Sequence, residues 1–238
     1  MTLDADRQAI ALLLRPHSPK DALATYYALH HNNARTRLAV HRDERGAADG
    51  FIAVCQTGFD LFQPLVVLQA PAECVAIDLL RTALSPGRSY HILVSPHLAP
   101  AVLAELDVQK TALCRVFEAR RADYRPVINV LVTSSHGPDG AMRFAVRAAD
   151  GRVVAESGAN WRTAEFAEVF VHVEFSARGR GLGKSVVSAC TAYLLESGLR
   201  PLYMVDQEDV ESVAIADALG FTDTGVRHST FAGSLIRT

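Results

Sequence analysis

Four cysteines in 238 residues, Cys55, Cys74, Cys114 and Cys190, are too scattered to make a framework. None forms a CxxC pair and none has a histidine at ligand spacing, so no disulfide scaffold and no metal site is expected. All four are expected to be buried, reduced thiols. No apolar run approaches the roughly 18 residues of a membrane span, so no membrane partner is expected. A basic excess is missing too: 24 Lys and Arg stand against 26 Asp and Glu, for a net charge of -2. Proteins that track a phosphate backbone carry such an excess, so nucleic acid is not an expected partner. The opening MTLDADRQAI has acids where a secretory signal has bases, and a soluble, cytoplasmic protein is expected. Strict repeats and low-complexity segments are also lacking.

What is present is an ordinary globular balance, 49% hydrophobic and 21% charged, in a chain long enough for one large or two small domains. The first part alternates signals of both kinds. ADRQAIALLL and PKDALATYYALHH predict helices, the second with Pro19 near its start. TRLAVHRD and GFIAVCQTG flank the turn ERGAADG and predict a hairpin. PLVVLQA, SYHILVS and TALCRVF read as strands, with helices in PAECVAIDLLRTAL and APAVLAEL.

The second part opens at the charged EARRADYRP. VINVLVTSS predicts a strand closed by the turn HGPDG, and MRFAVRA with RVVAESGA predicts a hairpin. In FAEVFVHV, Ala167, Val169, Val171 and Val173 share one face, while Glu168, Phe170 and His172 share the other. A helix then carries Val186, Val187, Cys190, Tyr193 and Leu194 on one stripe and ends at Gly198. PLYMVD, VESVAIADAL and a last strand or two after GF complete the chain. Two mixed α/β parts are expected, residues 1–120 and 121–238.

Between FAEVFVHV and that helix lies FSARGRGLGKS, whose closing Gly-Lys-Ser is that of a P-loop. A P-loop needs glycine at 178, which is Arg178. A dinucleotide fingerprint needs glycine at 184 or 186, which are Lys184 and Val186. Both nucleotide readings miss by one position. Arg-x-x-Gly-x-Gly, filled by Arg178, Gly181 and Gly183, fits without a gap. Glycines there bring backbone N–H groups to an anion, and the helix start adds its dipole. Arg178, Arg180 and Lys184 add positive charge. The plainer alternative is a tight strand-to-helix turn with solvated cations.

AEVFVHVEFSARGRGLGKSVV, followed by DVESVAIADALGF, resembles the GNAT superfamily of acyl-CoA-dependent N-acetyltransferases over roughly residues 125 to 235. The resemblance implies a mixed, mostly antiparallel twisted sheet flanked by helices. It implies that acetyl-CoA binds as co-substrate, its pyrophosphate on residues 178 to 184: Arg178, Gly179, Arg180, Gly181, Leu182, Gly183 and Lys184. The pantetheine arm would pair with the strand end at Val171, His172, Val173 and Glu174. The first part has no such glycine turn, LSPGRSY being its nearest. Its element order is compatible with a degenerate GNAT-like half with substrate-pocket and packing roles, as in the two-part FR47-like and glycine N-acyltransferase-like branch.

Amine acylation needs a base for the ammonium proton, a stabilised oxyanion and a protonated thiolate. Several enzymes of the resembled family carry a glutamate base in the same FAE context, which here is Glu168; an edge glutamate on a hairpin is the alternative. His172, on the same face, is a second candidate, against a packed strand histidine. Asp209 and Ser212 align with coenzyme-contacting positions, although Asp209 also reads as a helix N-cap. Ala216 stands where the family often has a tyrosine acid, which leaves water, Tyr203 or Ser212 to replace it. The adjacent His30, His31, Asn32 and Asn33 could suggest a metal, but a solvated helix end is the expectation. Acetyl, or a short acyl group, would pass to an amine by direct attack in a ternary complex. A non-catalytic acyl-CoA-binding or sensor protein is the alternative, favoured by Ala216. A homodimer is common in the resembled family.

Overall fold

The computed structural model describes residues 2–57, 62–137 and 140–236. Along the chain run α1 (Leu3–Ile10), α2 (Pro19–Ala24), β1 (Thr36–Arg42), β2 (Ala48–Cys55), β3 (Leu65–Gln69), α3 (Glu73–Ala83), β4 (Ser89–Val94), α4 (Ala99–Ala104) and β5 (Leu106–Glu118). Then follow β6 (Thr133–His136), β7 (Met142–Arg147), β8 (Val153–Arg162), β9 (Phe166–Val173), α5 (Leu182–Glu196), β10 (Arg200–Asp206), α6 (Val210–Ala218) and β11 (Thr222–Leu235).

Two compact units divide the chain. One holds residues 1–114 and 227–238, the other 115–226. Both boundaries fall inside strands, β5 and β11, rather than in linkers. In the first unit β1, β2 and β3 are antiparallel neighbours, β3 and β4 are parallel, and β4 pairs antiparallel with the end of β11. Ile52, Val66, Leu68, Leu80, Tyr90, Ile92 and Phe231 fill its core. In the second unit β6, β7, β8 and β9 are antiparallel neighbours, and β9 and β10 are parallel. Both parallel pairs join their strands through a helix, α3 or α5, because parallel strands need a crossover. The mixed, mostly antiparallel architecture expected from the sequence is the one observed.

The two parallel pairs differ. β3 and β4 stay paired from Leu65–His91 to Leu68–Val94, up to their carboxyl ends. β9 and β10 pair only at Phe166–Arg200, Ala167–Pro201 and Glu168–Leu202. Beyond Glu168, β9 runs on to Val173 and β10 to Asp206, each without the other. The second pair is a fork.

Several local expectations are corrected. VINVLVTSS is not a strand: only Thr133–His136 is, with every residue exposed. Asn129 turns the chain instead, its side-chain oxygen accepting from the Leu131 N–H at 3.0 Å and its carbonyl from the Val132 N–H at 3.0 Å. Ile128 and Val130 are exposed, so no burial held the segment extended. Within the expected HGPDG turn, residues 138 and 139 lie outside the described residues, as does Gly58 of the first hairpin stretch. Cys74 is exposed, unlike the three other cysteines. His31 is buried rather than solvated, with Nδ1 2.8 Å from Thr36 Oγ1, and no cluster of metal-binding side chains occurs among the described residues. One long strand, β11, ends the chain.

Candidate active site

The stripe of α5 decides how the site is built. Val186, Val187, Cys190 and Leu194 are all at most 1% exposed and lie on the odd-numbered face of β9. Burying each such side chain contributes about 1.5–3 kcal/mol, so α5 is firmly held against β9. Gly183 brings the start of α5 closer still. A Cβ there would lie 3.1 Å from Val173 Cγ2 and 3.2 Å from Ile215 Cδ1, so a larger residue would push α5 off β9 and α6.

Between β9 and α5, residues 174–181 form one tight passage. Gly179 and Gly181 both have φ of 73°, a region other residues enter at a cost. A Cβ at either would meet nothing within 4 Å, so the surface beside them is open. Gly181 is the N-cap of α5 and offers no capping side chain; the first helical bond is Ser185 N–H to the Gly181 carbonyl at 3.1 Å. The amides of Leu182, Gly183 and Lys184 therefore have no acceptor in the helix and are available to an anion. Arg178 and Arg180 are exposed beside them, and Lys184 half-buried. Glu174, the nearest acid in sequence, is paired with Arg152 instead. This arrangement suits an anion.

Glu168 stands at the fork, in the last β9–β10 pair. It is 6% exposed, so it is no surface glutamate. Burial pushes its pKa from 4.5 up to about 7, opposed by the neighbouring Asn160 and Trp161. The Asn160 bond is long, with Nδ2 3.4 Å from Glu168 Oε2. Neither partner had a signal in the sequence, because a β-bulge puts them there. Ala159 pairs with Val169 and Trp161 with Glu168, so Asn160 is the extra residue of β8.

His172 shares the face of Glu168 but lies four residues on and is exposed. At about 3.3 Å per residue the two are about 13 Å apart along the strand, too far to handle one proton. Val171 and Val173 lie on the opposite face against Gly183, as their spacing predicts. Asp209 caps α6, accepting from the Ser212 N–H at 3.0 Å and the Ser212 hydroxyl at 2.7 Å. Ala216 is fully buried.

Residues 113–221 match the model of the Acetyltransferase (GNAT) family. Three solved structures have a similar fold. A GCN5-related N-acetyltransferase-like protein from Streptococcus suis 89/1591 has a TM-score of 0.66 at 12% identity, over 97% of this chain and 99% of that one. A GCN5-related N-acetyltransferase from Sphaerobacter thermophilus has a TM-score of 0.65 at 12% identity, over 98% and 94%. A tandem GNAT protein from the clavulanic acid biosynthesis pathway has a TM-score of 0.61 at 14% identity, over 98% and 94%. No curated protein matches the chain. The chain has the GNAT fold. More particularly, the segment that matches the acetyltransferase (GNAT) family model, residues 113–221, nearly coincides with the second compact unit, residues 115–226.

Proposed function

We propose that the second unit binds an acyl-CoA, acetyl-CoA foremost, and passes its acyl group to an amine. The observation that carries this reading is the fork at Glu168 beside a helix start with free amides. Ligands of open α/β sheets sit at the carboxyl ends of parallel strands, which is where β9 and β10 part. The pyrophosphate would rest on residues 178–184, Arg178, Arg180 and Lys184 adding charge. The pantetheine arm would follow the backbone of Val171, His172 and Val173 into the fork. Asp209 and Ser212 would border it from the first turn of α6.

Glu168 takes the proton in this reading. An aliphatic amine is protonated at neutral pH, its pKa about 10, and only the neutral form attacks. A buried carboxylate with a pKa of about 7 is a stronger base than an ordinary one and is half ionised at neutral pH. The neutral nitrogen then bonds to the thioester carbonyl carbon, and the carbon–sulfur bond breaks. His172 is left to the coenzyme arm. The first unit repeats the order of strands and helices without the cradle: three residues, none of them glycine, separate β3 from α3. We assign it as a degenerate GNAT-like half.

Incubating the protein with acetyl-CoA and a panel of primary amines tests this, with thiol release and thermal shift followed together. Coenzyme A should stabilise the fold and at least one amine should release thiol. Stabilisation without turnover on any amine would favour the binding or sensor reading to which Ala216 points. No shift with coenzyme A at millimolar concentration would overturn both.

A further inference from the structure

Tyr203 is the first residue of β10 past the last β9–β10 pair. Its side chain is 3% exposed, packed among Val205, Ala216, Leu219 and Phe221, with its ring 6.0 Å from that of Phe221. Its hydroxyl is fully enclosed and makes no hydrogen bond. Enclosed hydroxyls are nearly always partnered, so an orphan of this kind asks what its partner is. Ser212 is close enough to act on the phenol but lies outside hydrogen-bond geometry, its hydroxyl turned to Asp209 Oδ2 at 2.7 Å.

Direction matters here. Paired residues on neighbouring strands point to the same face, so Glu168 and Leu202 share one face and Tyr203 takes the other, toward α5 and α6. The amide cradle at the start of α5 is on the helix side as well. A thioester lying in the fork would have its carbonyl between the strands, its amine attacker on the side of Glu168, and its sulfur on the side of Tyr203.

Resting on the acyl-CoA reading above, we propose that the Tyr203 hydroxyl is the hydrogen-bond donor to the thioester sulfur as it leaves. The amine nitrogen, its first proton already on Glu168, bonds to the carbonyl carbon. The carbon–sulfur bond breaks and its electron pair goes to sulfur. The nitrogen's second proton leaves as the amide forms and ends on that sulfur. Tyr203 keeps its own proton. Burial pushes the phenol up to about 12, above a thiol at about 8.5, so it steadies the developing charge by a bond and not by transfer. It thus acts in place of the side chain that Ala216 lacks.

The variant Tyr203→Phe removes only that hydroxyl. Without ligand its melting temperature should be unchanged or higher, since no bond within the fold is lost. Turnover should fall about 10- to 100-fold, with KM for acetyl-CoA within about twofold. Calorimetry gives a reading independent of turnover. The native protein's preference for coenzyme A over desulfo-coenzyme A should grow between about pH 7 and 9, as the thiol ionises, and stay flat in the variant. Equal preference and equal turnover in both proteins would overturn the role, as would a lower melting temperature that accounts for the lost turnover. Failure of the native protein to bind coenzyme A at all would overturn the acyl-CoA reading, and this role with it.

Discussion

The side-chain amide of Asn160 reaches Glu168 Oε2, at 3.4 Å, because β8 carries one residue more than β9 can pair. The bulge holds a donor against a carboxylate that burial would otherwise drive still further toward its protonated form. It adjusts the strength of the base without touching it covalently.

Asn160→Ala should therefore raise the pKa of Glu168. The acid limb of the pH–rate profile should move to higher pH, and turnover near pH 6 should fall about three- to tenfold while the plateau changes little. An unmoved limb would remove Asn160 from the account.

Glu168→Gln should abolish that limb and lower turnover at neutral pH by about 100-fold or more, with coenzyme A affinity kept. It also has a sign in stability. The folded state holds the Glu168 proton more tightly than the unfolded state, so the stability tied to this group is fully present below pH 4.5 and is lost as pH rises through about 7. The variant should lose this slope and melt higher than the native protein at pH 8. A variant less stable at pH 8 would contradict the assigned burial.

Gly183→Val tests the close approach of α5. With a Cβ already 3.1 Å from Val173 and 3.2 Å from Ile215, a larger side chain should cost about 1–3 kcal/mol and weaken coenzyme A binding together. Thermal melting and a coenzyme A titration on the same sample check it. Full native stability in the variant would mean that the helix gives way without cost.

Charge at the turn predicts salt dependence. Replacing Arg178 and Arg180 by Gln should weaken coenzyme A binding, and the loss should shrink at high salt, because both side chains are exposed. Equal losses at low and high salt would point to a packing role.

The strand–turn–helix at the site was legible in the sequence because its signals are local. The alternation in FAEVFVHV set the two faces of β9, the stripe from Val186 to Leu194 set the buried side of α5, and the glycine turn marked the start of that helix. Glu168 could be named but its environment could not, since Asn160 and Trp161 reach it through a bulge that no spacing reveals. The fork was equally hidden: it is a pairing that stops, and residues 169–173 look like any other strand. Asn129 breaks VINVLVTSS by side-chain turns that outweigh its β-rich composition. The return of β11 to the first unit is long-range pairing, which local pattern does not encode.

The most direct test of the central claim is a calorimetric titration of coenzyme A into the native protein, Gly181→Ala and Gly46→Ala. Both glycines have positive φ, 73° and 81°, in open surroundings, so both variants carry similar strain. Only Gly181 belongs to the turn at α5; Gly46 lies between β1 and β2. The account predicts one coenzyme A per chain, affinity weakened by about tenfold in Gly181→Ala, and native affinity in Gly46→Ala. No binding to the native protein, or equal affinity in the two variants, would contradict it.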